Sequence, residues 1–152
     1  MCKMEKSIDF LREQFELENR DIKTYSPLTL AYIGDGVYEI VIRTILVSNG
    51  NCPPNKLHKR ASALVKAGAQ SAMMEVIEPL LQQEEEAVYK RGRNAKSYTM
   101  AKNATMADYR RATGFEALMG YLYLDGREER MIELIKAGLE KINGDKSGST
   151  GK

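Results

Sequence analysis

Apolar residues recur along this chain at helical spacing, and no run alternates in the manner of a half-buried strand. Residues 1–24 are highly charged, with scattered Ile8, Phe10, Leu11, Phe15 and Leu17, and read as an amphipathic helix or a loose arm. Ser26-Pro27 marks a helix start: serine offers an oxygen to the unpaired N–H groups of a first turn, and proline is preorganised at its first position. That helix runs to Val47 and stops at Ser48-Asn49-Gly50. Leu28, Leu30, Tyr32, Ile33, Val37, Ile40, Val41, Ile45 and Leu46 make it apolar on most faces, which predicts burial in a core, or in a core plus a subunit interface. After Pro53-Pro54, Asn55 is expected to cap a helix carrying Leu57, Ala61, Leu64 and Val65. A further helix is expected over 71–81, with Met73, Met74, Val76, Ile77 and Leu80, and with Pro79 near its end. Glu84-Glu85-Glu86 opens a short one, acids there complementing the helix dipole, and it runs into Lys90-Arg91-Gly92-Arg93-Asn94.

Residues 92–104 are polar, lack an apolar period and read as a loop. Thr105 with Asp108 resembles a capping box that opens a helix to Leu124, ended by Asp125-Gly126. A last helix spans 128–142, with Met131, Leu134, Ile135 and Leu139 on one face, and the Gly-, Ser- and Lys-rich residues 143–152 read as a disordered tail. The expectation is an all-α fold of six or seven helices, its main domain covering 25–142.

Length and composition change little. The 152 residues make about one domain, and 43% hydrophobic with 29% charged residues is ordinary for a soluble protein. A net charge of +2 is too small to argue for nucleic acid by itself. Cys2 and Cys52 do not make a disulfide framework and fit a reducing compartment. No secretory signal and no membrane-length apolar run is visible, so a cytoplasmic protein is expected.

The candidate chemistry lies in isolated acids. Asp35 stands between Gly34 and Gly36 in an apolar helix, and Glu116 stands in another, Thr113-Gly114-Phe115-Glu116-Ala117-Leu118-Met119-Gly120. An ionised carboxylate in a core-type helix is costly unless paired. Two such acids on two helices point to a divalent cation held between them, although ordinary hydrogen bonding of a kinked helix and an exposed acid are comparable readings. Glycines cost a helix about 1 kcal/mol each relative to alanine, so two flanking Asp35 suggest the close approach of another helix. Glu39, one turn from Asp35, is expected to pair with a basic side chain. A metal held by two carboxylates activates water without histidine, and His58 is the single histidine. Basic residues crowd one region: Lys90, Arg91, Arg93, Lys96 and Lys102, with Asn94 among them and Arg110 and Arg111 beyond. Such a cluster suits phosphate backbones, but on charge alone a solvated loop is the better reading.

Residues 30–39, Leu-Ala-Tyr-Ile-Gly-Asp-Gly-Val-Tyr-Glu, resemble the signature helix of ribonuclease III endonuclease domains. Residues 116–124, Glu-Ala-Leu-Met-Gly-Tyr-Leu-Tyr-Leu, resemble that family's second metal-binding helix, and Lys90-Arg91-Gly92-Arg93-Asn94-Ala95-Lys96 resembles the short Mini-III branch. The similarity covers about residues 25–142. It implies a ribonuclease III-like helical bundle forming a two-fold homodimer through the signature helices, with Asp35 and Glu116 as metal-binding and catalytic acids. Ala31 and Thr113 stand where most relatives carry further carboxylates, a reduced set that is similar to the Mini-III branch. The resemblance further implies a Mg²⁺-dependent endoribonuclease, with Mn²⁺ able to substitute, that cuts double-stranded RNA to 5′-phosphate and 3′-hydroxyl ends in the maturation of large-subunit (23S) ribosomal RNA precursor. Longer relatives carry a separate double-stranded RNA-binding domain. Here Lys90, Arg91, Arg93, Asn94, Lys96 and Lys102 are expected to take its place, with contacts based on shape and charge. The competing expectation is an inactive RNA-binding or ribosome-associated helical dimer, which Ala31 and Thr113 favour.

Overall fold

A computed structural model describes residues 3–95 and 105–149, which are mostly α-helical, with no strand among them. The helices are α1 (Lys3–Gln14), α2 (Pro27–Val47), α3 (Pro54–Val65), α4 (Ala67–Ile77), α5 (Gln83–Asn94), α6 (Met106–Leu124) and α7 (Glu128–Ser149), with 3-10 turns at Ile22–Thr24 and Glu78–Leu80. The all-α expectation holds, and the helix starts read from sequence are made by the expected atoms. Ser26 Oγ accepts from the Thr29 N–H at 3.2 Å, and Thr105 Oγ1 accepts from the Asp108 N–H at 3.0 Å.

α6 is the central helix, and α2, α5 and α4 pack around it. From Ala112 to Leu122 every residue except Glu116 is buried, so the one acid of this stretch marks the one opening in the wrap. Tyr38 of α2 stands edge-on to Phe115 of α6, with ring centroids 4.9 Å apart, and its hydroxyl donates to the Leu64 carbonyl at 2.8 Å, tying α3 to this core.

α5 is bolted to α7 by Glu85. This side chain is fully buried and receives Arg130 at 2.9 Å and Arg127 at 3.1 Å, while its other role is to accept from the Gln82 N–H at 2.8 Å. Burial alone would push its carboxyl up. Arg130, the Gln82 N–H and Arg127 outweigh that and hold it below the ordinary value. Among Glu84, Glu85 and Glu86, the middle residue is thus an anchor as well as a dipole partner.

Several boundaries differ from the sequence expectation. α3 begins at Pro54 with Pro53 as its cap rather than Asn55. α4 begins at Ala67, four residues before the expected start. α5 continues to Asn94, through the first residues of the expected loop, because Gly92 packs against Thr113, Gly114 and Ala117 of α6. α7 runs to Ser149, past the Ile142 that ends the apolar face. The N-terminal segment contributes α1, whose Ile8 is buried and whose Arg12 donates to the Leu124 carbonyl at 3.0 Å, at the end of α6.

α2 differs most in burial. One side of it packs on the core through Leu30, Ala31, Gly34, Tyr38 and Ile42. The other side is open: Tyr32 is 83% and Ile40 64% exposed, and Asp35 and Gly36 are exposed beside them. Asp35 is therefore not the buried acid that the apolar helix predicts. The apolar pattern covers both faces of α2, and this chain covers only one.

Candidate metal centre and nucleic-acid interface

The meeting of α2 and α6 is set by two glycines. A Cβ built on Gly34 would overlap the carbonyl oxygen of Glu116, and one built on Gly120 would overlap the carbonyl oxygen of Leu30. Each helix thus offers a glycine to the other's backbone, and the axes approach as closely as main chains allow. The expected close approach beside Asp35 is made by Gly34 alone, since a Cβ on Gly36 would meet nothing within 4 Å.

This crossing brings Asp35 and Glu116 together. The Glu116 carboxyl is pushed up from 4.5 to about 8, first by burial, then by the charge of Asp35 and by a side-chain hydrogen bond with it, against a smaller opposing contribution from Gln70. Asp35 stands exposed on the rim, and the less exposed Glu116 is the member whose charged form is disfavoured. Glu39 does not join them: it pairs with Arg43 at 3.0 Å, as the spacing predicts.

Gln70 of α4 is the third member, absent from the sequence reading. It is fully buried, and its Nε2 donates to the Val65 carbonyl at 3.1 Å and reaches Glu116 Oε2 at 3.5 Å. Its Oε1 is buried without a hydrogen-bond partner among the described residues. A signal existed in the sequence: Gln70, Met73, Met74 and Ile77 follow the i, i+3, i+4, i+7 stripe of a core helix, and glutamine is the odd member.

The two positions where the sequence resemblance leads one to look for further acids, 31 and 113, contribute none. Ala31 is buried, and Thr113 is buried with its hydroxyl donating to the Tyr109 carbonyl at 3.0 Å. Among the described residues no group of three or more His, Cys, Asp or Glu side chains is placed to share an ion. The donor set is thus two carboxylates, with the Gln70 amide nitrogen 3.5 Å from one of them. It suits a hard divalent cation, which binds through few carboxylates and keeps several waters.

The basic candidates fall at the end of α5. Gly92 seats this end on the turn of α6 that carries Glu116. Arg91 is exposed. Lys90 is exposed and pairs with Glu86 at 3.1 Å. Arg93 lies 5.7 Å from the centre of the Tyr89 ring, and its Nε donates to the exposed Asn94 Oδ1 at 3.4 Å. Arg110 and Arg111, in the first turns of α6, are exposed as well. Lys96 and Lys102 lie outside the described residues.

Comparison with known proteins agrees with this arrangement. Residues 28–127 match the Ribonuclease III domain model. A Mini-ribonuclease 3 of Clostridium tetani is 53% identical over 128 residues, covering 84% of this chain and 83% of the relative. A Mini-ribonuclease 3 of Enterococcus faecalis is 52% identical, covering 81% of this chain and 95% of the relative. The crystal structure of a Fusobacterium nucleatum protein superimposes with a TM-score of 0.71 at 32% identity, covering 80% of this chain and 97% of that one. The chain belongs to the ribonuclease III domain family, in its Mini-ribonuclease 3 branch.

Proposed function

We propose that this protein is a divalent-metal-dependent endoribonuclease that hydrolyses double-stranded RNA to 5′-phosphate and 3′-hydroxyl ends. The observation that carries the reading is the convergence of Asp35 and Glu116 at the Gly34–Gly120 crossing. In this reading both carboxylates hold the ion, which is Mg²⁺ with Mn²⁺ as a substitute. When bound, the ion supplies an acidified water and offsets charge developing on the phosphate. Asp35, on the open face, meets the RNA side, while Glu116, in the crevice, anchors from below. Glu116 must be deprotonated before it can serve as a ligand. Arg91 and Arg93, with Lys90, Asn94, Lys96 and Lys102, hold the phosphate backbone in register and contribute little base discrimination.

The open face of α2 supports a homodimer. Leu28, Tyr32, Gly36 and Ile40 recur every four residues, which places them along one stripe, and the three side chains are 42%, 83% and 64% exposed. A second copy applying the same stripe would cover it, give the dimer two active sites, and permit cleavage of both strands of a duplex. We further assign the dimer to large-subunit (23S) ribosomal RNA precursor in the cytoplasm, a reading that rests on membership of the Mini-ribonuclease 3 branch. Among the described residues no helix is long and apolar enough to cross a membrane.

The test is incubation with a long RNA duplex, with and without Mg²⁺, followed by sizing of the fragments and end analysis, with single-stranded RNA in parallel. Metal-dependent shortening of the duplex alone supports the reading. An intact duplex at saturating Mg²⁺ supports the inactive RNA-binding dimer instead.

A further inference from the structure

Gln70 is placed oddly for its chemistry. α3 ends at Val65, and Lys66 is extended, so the chain turns a corner there and α4 starts at once. The Val65 carbonyl is one of the four that a helix C-terminus leaves without an intrahelical donor. Gln70 Nε2 reaches back across the corner to fill it at 3.1 Å, and the same nitrogen faces Glu116 Oε2 at 3.5 Å. The Val65 carbonyl can only accept, so the amide nitrogen must face it, and that contact dictates the orientation of the amide. The consequence is that Oε1 is turned into a buried place where no donor among the described residues meets it. Leaving a buried acceptor unpaired is costly, and capping one carbonyl does not require it. An amide that serves only α3 would be better placed with its oxygen in water.

We infer that Gln70 is a positioning residue of the metal centre: its Nε2 fixes the Glu116 carboxylate, and its Oε1 accepts from a water in the shell of the bound ion. This rests on the proposed metal-binding role of Asp35 and Glu116. Outer-shell partners of this kind orient the ligand and hold the water set, and their loss typically weakens metal affinity by about 10- to 100-fold. Gln70 touches neither RNA nor the reacting phosphate in this account.

The test is titration of the RNA-free full chain with Mn²⁺, followed by the electron paramagnetic resonance signal of free Mn²⁺, for wild type, Asp35→Asn, Gln70→Leu and Gln70→Met. Both Gln70 variants keep the side-chain bulk and remove donor and acceptor together, and thermal unfolding without metal is recorded for each. The expected result is an Mn²⁺ site in wild type that Asp35→Asn removes, and that Gln70→Leu and Gln70→Met weaken about 10-fold while remaining folded. Mn²⁺ affinity within twofold of wild type in a folded Gln70 variant overturns the inference and leaves the Asp35–Glu116 reading standing. Unfolding of both variants assigns Gln70 to packing and overturns it as well. A wild-type chain with no site sensitive to Asp35→Asn overturns the metal reading and this inference together.

Discussion

The α-carbon of Gly34 lies directly against the backbone carbonyl of Glu116, with no room for a Cβ between them. This contact joins the two halves of the site: the residue before Asp35 touches the main chain of the acid that Asp35 faces. Gly34→Ala is expected to force α2 and α6 apart and to destabilise the fold by about 1–3 kcal/mol, the usual range for an overpacked core. Urea unfolding measures this, and the same variant is expected to lose Mn²⁺ affinity because the carboxylates separate. A Gly34→Ala protein as stable as wild type would mean that the helices have room to spare.

Glu116 makes the stability of the metal-free protein depend on pH in an unusual direction. Its folded value of about 8 lies above the 4.5 of an ordinary glutamate. Between those values the folded chain keeps a proton that the unfolded chain has released. Its contribution is fully present below about pH 4.5 and is lost as pH rises toward about 8, with a slope of at most ~1.4 kcal/mol per pH unit. Glu116→Gln is expected to flatten that slope, and Mg²⁺ is expected to stabilise the wild type more at the alkaline end, where the proton no longer competes. Urea titrations in chelator across this window measure both effects. Equal slopes in wild type and Glu116→Gln would contradict the raised value of Glu116.

Gly36 separates the protomer from the dimer. A Cβ there meets nothing within the chain, so Gly36→Leu is expected to leave helix content and monomer packing unchanged. If α2 faces α2 of a second copy, the same leucine disrupts the pairing, and Ile40→Asp does so by placing a charge in the covered stripe. Light scattering coupled to size exclusion measures the mass of each. Wild type is expected at twice the chain mass and both variants at the chain mass. An unchanged dimer in Gly36→Leu and Ile40→Asp would move the interface elsewhere.

The end of α5 predicts a salt-dependent effect. Neutralising Arg91 and Arg93 together is expected to weaken duplex binding and to lower the steepness of log affinity against log salt by about one for each phosphate contact removed. Lys90 alone is expected to matter less, because it is held by Glu86 at 3.1 Å. Binding at several salt concentrations by fluorescence anisotropy decides it. Parallel salt dependences for wild type and the double variant would remove this end of α5 from the interface.

The sequence made the frame of the site legible because the frame is local. Ser26 and Thr105 open α2 and α6 through bonds that span three residues, and Glu39 pairs with Arg43 one turn away. Gly34 beside Asp35 announced a close helix contact that the structure contains. What stayed hidden depends on residues distant in the chain. Asp35 looked buried because α2 is apolar on two sides, and the pattern does not say that this chain covers only one. Gly92 reads as a helix breaker until Ala117 and Gly114 are placed against it. Glu85 reads as one of three dipole-aligned acids until Arg127 and Arg130 arrive from α7. Gln70 precedes Ser71, where the apolar pattern starts the helix, so the polar member of the core stripe falls outside that pattern.

The central claim, that Asp35 and Glu116 jointly serve cleavage, is tested most directly by single-turnover cleavage of a long RNA duplex in saturating Mg²⁺ by wild type, Asp35→Asn and Glu116→Gln, with duplex binding measured on the same samples. The predicted result is a loss of cleavage of at least about 100-fold in each variant, beyond the range of an outer-shell change, with duplex binding retained. Cleavage by either variant at the wild-type rate would contradict the account.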